Sequence, residues 1–191
     1  MTYLKDVILE LYPQDINFFN NTLIINQNPQ ETTVLTNPKH SKSYIFRHET
    51  RCITAFYSRL LSKFKTNKVW RIIIECVEDS VCTEIRELDG VVQVQVRLDY
   101  VKYFSSNNEE KKRIALDTLQ EGICMVAHKY GWDKTVFKEV YQEMVNLDYK
   151  NIYVYKQKVS PNRIYVSRIV CEHEVSYFDI YVEIREKMEI S

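Results

Sequence analysis

A chain of 191 residues with 45% hydrophobic and 27% charged residues can bury one sizeable core, which excludes a disordered or fibrous protein. Lys and Arg total 26, as do Asp and Glu, so the net charge at pH 7 is zero and the overall basic field of a nucleic-acid-binding chain is missing. Only three glycines occur, Gly90, Gly122 and Gly131, which excludes the glycine-rich phosphate loops of nucleotide enzymes and the Gly-x-Ser-x-Gly elbow of hydrolases.

The first residues, Met1 to Asp6, have neither the basic start nor the long apolar run of a secretory leader. No apolar run approaches the length of a membrane span; Ile72-Ile73-Ile74 is typical. These features predict a cytoplasmic protein without a membrane partner. Residues 3–11 fit both periodicities: Leu4, Val7, Ile8 and Leu11 suit a helix, while Val7, Leu9 and Leu11 suit a strand. Residues 13–49 hold three of the four prolines and six asparagines and read as irregular. Phe18-Phe19 and Leu23-Ile24-Ile25 are expected to anchor it onto the body. The expected organisation is an N-terminal arm over 1–49 packed on an α+β body over 50–191, together one domain.

Ile53, Phe56, Tyr57, Leu60, Leu61 and Phe64 predict a helix over 51–64 with Arg51, Arg59 and Lys63 on its back. The period then becomes two. Trp70 to Cys76 reads as a mostly buried strand and 81–88 as a second. Asp89-Gly90 marks a tight hairpin, and Val92, Val94, Val96 and Leu98 line one face of the third strand, opposite a solvated Gln93, Gln95, Arg97 and Asp99 face. Ser106 with Glu109 predicts a capping box for a helix whose buried stripe is Leu116, Leu119, Ile123, Val126 and Tyr130. Gly131 is its left-handed cap, and Asp133 caps a second helix with Val136, Phe137, Val140, Tyr141 and Met144 facing inward. Three strands follow, Ile152–Lys158, Arg163–Glu172 and Tyr177–Arg185. In the last, Phe178, Ile180, Val182 and Ile184 are expected to face in, and Tyr177, Asp179, Tyr181, Glu183 and Arg185 out. The order predicts an α+β fold: an antiparallel sheet of about six strands (β-meander, αα-hairpin, β-meander) with helices packed on one face, two three-stranded sheets being the alternative.

No catalytic constellation, metal-ligand set or cofactor motif emerges. The histidines, His40, His48, His128 and His173, form no pair at metal-ligand spacing on one element. The five cysteines, Cys52, Cys76, Cys82, Cys124 and Cys171, are odd in number and lack a Cys-x-x-Cys, so they read as reduced core residues. Glu121, beside Gly122 and one turn from Asp117, is the candidate carboxylate if the chain is an enzyme with an unrecognised site. Six basic residues and no acid lie between Glu49 and Glu75. Within that stretch, 51–71, Arg59, Lys63, Lys65 and Lys68 are the candidates for an alternative, nucleic-acid-binding reading. Six of the 14 tyrosines crowd the last 43 residues. On one-sided strands Tyr165, Tyr177, Asp179, Tyr181, Glu183 and Arg185 are the candidate partner-binding set, because tyrosine and arginine are favoured at protein interfaces.

The run Tyr103-Phe104-Ser105-Ser106, Glu109-Glu110-Lys111-Lys112, Leu116, Leu119, Glu121-Gly122 and Lys129-Tyr130-Gly131-Trp132-Asp133 resembles small bacterial proteins of the toxin-immunity type. The likeness covers about 30 residues, much of it explained by helix capping. It implies a non-catalytic protein-binding role with a cognate toxin as partner, and it carries no catalytic residue across.

Overall fold

The structure is a computed structural model and describes residues 1–12, 41–61, 63–79, 82 and 84–186. The expected Phe18-Phe19 and Leu23-Ile24-Ile25 anchors, most of the irregular arm and His40 lie outside the described residues. Within them, the short strands β1 (Thr2–Tyr3) and β2 (Asp6–Leu11) precede helix α1 (Lys42–Leu60). Next come β3 (Lys65–Thr66), β4 (Arg71–Val77), β5 (Arg86–Leu88) and β6 (Val91–Arg97). Helices α2 (Tyr100–Ser105), α3 (Asn108–Tyr130) and α4 (Lys134–Asn146) follow, then strands β7 (Asn151–Val159), β8 (Tyr165–His173) and β9 (Phe178–Glu186).

The class is α+β, but the strands divide into three sheets: β1-β3, β2-β4-β6-β5 and β7-β8-β9. The single antiparallel sheet of about six strands is not what forms. The central sheet is mixed, with β2, β4 and β6 mutually parallel and β5 antiparallel on its edge. Parallel neighbours need a long crossover. The chain between β2 and β4 supplies it and includes α1. Residues 3–11 are therefore a strand start rather than a helix. The pairing stacks three apolar rows across the sheet: Val7-Ile72-Val92, Leu9-Ile74-Val94 and Leu11-Cys76-Val96. All nine are buried, and α1 and α3 cover them.

Helix α1 starts earlier than its apolar face suggested. Ser41 caps it by accepting from the Tyr44 amide, and Phe46 and Thr50 are buried in its first half. The β5–β6 turn forms as expected, with Asp89 at φ 50° and Gly90 at φ 79°. A side chain at 90 would also collide with the Lys68 carbonyl, 2.5 Å from the position of its Cβ. Of the strand expected over 81–88, the described residues pair as β5 over Arg86–Leu88, while 81 and 83 lie outside the described residues. The N-cap lies one residue later than expected: Asn107 accepts from the Glu110 amide, while Ser106 ends α2, a short helix capped by Asp99. Gly131, at φ 64°, closes α3, with the Trp132 amide returning to the Ala127 carbonyl. Asp133 caps α4 by accepting from the Thr135 amide.

Candidate functional site

The C-terminal sheet forms as three long antiparallel strands but does not complete a core. It is held at one end. Asn151, at the start of β7, is buried and bridges two groups of α1: its amide donates to the Cys52 carbonyl at 2.9 Å and its oxygen accepts from Arg59 at 2.8 Å. The Arg59 guanidinium also lies over the rings of Phe56 and Tyr153, at 4.8 and 4.6 Å. Burial there lowers its pKa below the usual arginine value. Lys112 of α3 forms an ion pair with Glu174 in the β8–β9 turn. His173, at the end of β8, packs edge-on against Phe178, and burial reinforced by the Arg51 charge holds its imidazole below the ordinary histidine range.

Beyond this base β9 is mostly exposed on both faces, while Val170 and Cys171 of β8 stay buried. The pairing of β8 with β9 puts Phe178, Ile180, Val182 and Ile184 on one face beside His173, Cys171, Ile169 and Ser167. These four residues were expected inside, yet they are 48, 62, 63 and 71% exposed. The alternation is real, but among the described residues no layer covers Phe178, Ile180, Val182 and Ile184. The opposite face carries Asp179, Tyr181, Glu183 and Arg185 beside Glu172, Val170, Arg168 and Val166. Tyr177 precedes β9 and donates its hydroxyl to Glu172 at 2.9 Å, which raises its pKa to about 12. Five of the six candidate partner-binding residues thus gather along β9 and its approach. Tyr165 does not join them, because it pairs with Glu186 and falls on the apolar face. The residues that sequence reasoning misplaced are Phe178, Ile180, Val182 and Ile184. Their strict alternation is the signal, and it serves equally for a core face and a docking face.

Half of the basic stretch is engaged within the fold. Besides Arg59, Lys68 pairs with Glu87 at 2.6 Å and Arg71 with Asp6 at 3.0 Å. The Lys68 contact, with a hydrogen bond from Tyr130, keeps the Glu87 carboxyl below its usual range. Lys63 and Lys65 are exposed. Phe56 and Tyr57 are buried, and Phe64 packs edge-on against Trp132, so the aromatics do not line the charges.

Glu121 borders a groove of about 250 Å³ with Arg97, Asp99, Lys102, Arg113 and Asp117. Arg113 pairs with Glu110, Asp117 accepts from the Tyr141 hydroxyl at 2.8 Å, and Asp99 caps α2. Neither a histidine nor Cys124 lines this groove. Gly122 has a packing role, as its α-carbon sits against Ile74 of β4. A second groove of similar volume is lined by Tyr12, Cys82, Glu84, Arg86, Gln93 and Gln95. Behind it Glu75 is buried between Arg86 at 2.7 Å and Gln95 at 3.2 Å. The Gln95 face, expected to be solvated, is thus partly closed. Of the cysteines, Cys52, Cys76 and Cys171 are buried, Cys124 is half-buried and Cys82 is exposed, and none forms a disulfide. Burial pushes the Cys52 thiol up to about 12, which suits a packing residue rather than a thiolate.

Among the described residues no group of three or more His, Cys, Asp and Glu could hold a metal ion, and no helix is long and apolar enough to cross a membrane. Comparison of the chain with protein-family models, with curated proteins and with solved structures finds no match.

Proposed function

We propose that this chain is a non-catalytic protein-binding domain whose docking element is the β7-β8-β9 sheet. One observation carries the reading: among the described residues the sheet is anchored at its base and exposes Phe178, Ile180, Val182 and Ile184 along a single face. Exposed apolar surface of this kind costs solubility and marks an interaction site in a natural protein. The polar face adds Tyr177, Tyr181 and Arg185, types enriched where binding energy concentrates. The resemblance of residues 103–133 to toxin-immunity proteins gives the specific form of the proposal, a partner that is a bacterial toxin.

The test is affinity capture from the source organism, followed by titration of the purified partner against variants. Ile169→Thr and Tyr177→Ala alter the sheet while leaving the edge of β9 intact. Each is expected to weaken the complex about thirtyfold, the size of a hot-spot contact near 2 kcal/mol. Their melting temperatures should match that of the unaltered protein. A partner retained equally by both variants would remove the sheet from the function. The nucleic-acid alternative has its own signature: salt-dependent binding of single-stranded RNA or DNA, lost when Lys63 and Lys65 become Glu. The internal pairing of Arg59 and Lys68 speaks for the first reading.

A further inference from the structure

The two edges of the C-terminal sheet differ. The outer edge of β7 carries Lys156 and Lys158 and a register irregularity between Val154 and Lys156. Lysines and bulges are how sheets prevent edge-to-edge pairing. The other edge, β9, has none of these. Its nine residues, Phe178 to Glu186, contain neither lysine nor proline and pair with β8 in unbroken register. Among the described residues no strand pairs with that outer edge, and an edge of this length without lysine, proline or bulge is a template for another strand.

The sequence of β9 is complementary to itself. In a two-fold antiparallel pair, each residue meets the one equally distant from the symmetry centre. Centred on Val182, the whole strand pairs: Phe178 opposes Glu186 of the second copy, Asp179 opposes Arg185, Ile180 opposes Ile184, Tyr181 opposes Glu183, and Val182 meets itself. Opposite charges and apolar pairs across strands stabilise, and like charges directly opposed destabilise. The other centres are worse. A centre on Tyr181 sets Asp179 against Glu183 twice, and one on Glu183 sets that carboxylate against its own copy. A centre at Ile180 or Ile184 pairs only five residues of the strand. A centre between two residues turns the apolar face of one strand onto the polar face of the other.

We propose that β9 is a homodimerisation edge: two copies of the chain join their sheets antiparallel about Val182, giving one continuous six-stranded sheet with the apolar face shared. The inference rests on the sheet being a docking element, but it concerns the edge of β9 and not the faces offered to a partner.

Sedimentation across a concentration series tests it. The expected species is twice the 22.9 kDa chain mass. Asp179→Arg places two arginines opposite each other and is expected to leave a monomer, as is Arg185→Asp with two aspartates. The double exchange Asp179→Arg with Arg185→Asp restores the pairs and is expected to restore the dimer, while circular dichroism shows all three folded. In a Cys82→Ser, Cys124→Ser background, whose remaining cysteines are buried, one added cysteine at 181, 182 or 183 reports the register under mild oxidation. Only Val182→Cys should cross-link two chains. A chain that remains monomeric at every concentration, a dimer indifferent to Asp179→Arg, or cross-linking at 181 or 183 instead of 182 would each overturn the proposal. A monomer that still binds its partner through Ile169 and Tyr177 refutes the dimer alone; a dimer whose partner ignores both positions refutes only the sheet-face reading.

Discussion

Gly122 shows how one residue sets the spacing of two layers. Glycine in a helix interior costs about 1 kcal/mol relative to alanine, so its position between Glu121 and Ile123 demands a reason. A Cβ there would lie 2.7 Å from Cγ1, 2.8 Å from Cδ1 and 3.0 Å from Cγ2 of Ile74. Ile74 is fully buried in the middle apolar row of the central sheet, and a β-branched side chain has little rotamer freedom with which to withdraw. Overpacking of about 1–3 kcal/mol therefore outweighs the helix-propensity gain. Gly122→Ala is expected to lower stability by about 1–2 kcal/mol, read as a shift in the urea midpoint. Ile74→Ala, damaging alone, should be less damaging in the Gly122→Ala background, because the new methyl occupies part of the vacated space. Additive effects would show that the helix–strand contact is not what requires glycine.

At the scale of elements, local signals were legible and relations between elements were not. Asp89-Gly90, Gly131 and Asp133 announce their turn and caps because each need is met within a few residues. Strand direction leaves no such mark. The alternation of Ile72, Ile74 and Cys76 identifies a buried face but not whether the neighbouring strand runs parallel, and the helix-compatible spacing of Leu4, Val7 and Leu11 left β2 undecided between helix and strand. The same limit explains Tyr165, whose face follows from its register with Glu186. The docking of the C-terminal sheet is also relational, and it gathers at Lys112 and Glu174. Their side chains are only 9 and 18% exposed. Removing one member of a buried pair leaves the other charge uncompensated, at about 3–5 kcal/mol, whereas replacing both can be nearly neutral. Glu174→Ala is accordingly expected to be strongly destabilising by chemical denaturation. Lys112→Met combined with Glu174→Gln should recover most of the loss. Equal losses in the single and double variants would mean that packing of the β8–β9 turn, not charge pairing, secures the sheet.

For the whole molecule, charge balance and the exposed sheet act together. A net charge of zero at pH 7 and a pI near 6.9 remove repulsion between copies at neutral pH, where Ile180, Val182 and Ile184 face solvent. Solubility is then lowest where the charge vanishes and rises as protons are gained below that pH or lost above it. Light scattering at fixed concentration is expected to peak near pH 7 and fall on both sides. Two single-lysine variants separate the contributions. Gln142→Lys adds a positive charge on the exposed surface of α4, remote in sequence from the sheet, and should move the peak to higher pH with little change in height. Ile184→Lys adds the same charge while removing apolar area from the open face, so its peak should move equally and also shrink. If the two variants shrink the peak alike, net charge alone governs association. A lower peak only for Ile184→Lys identifies the uncovered sheet as the surface through which copies meet.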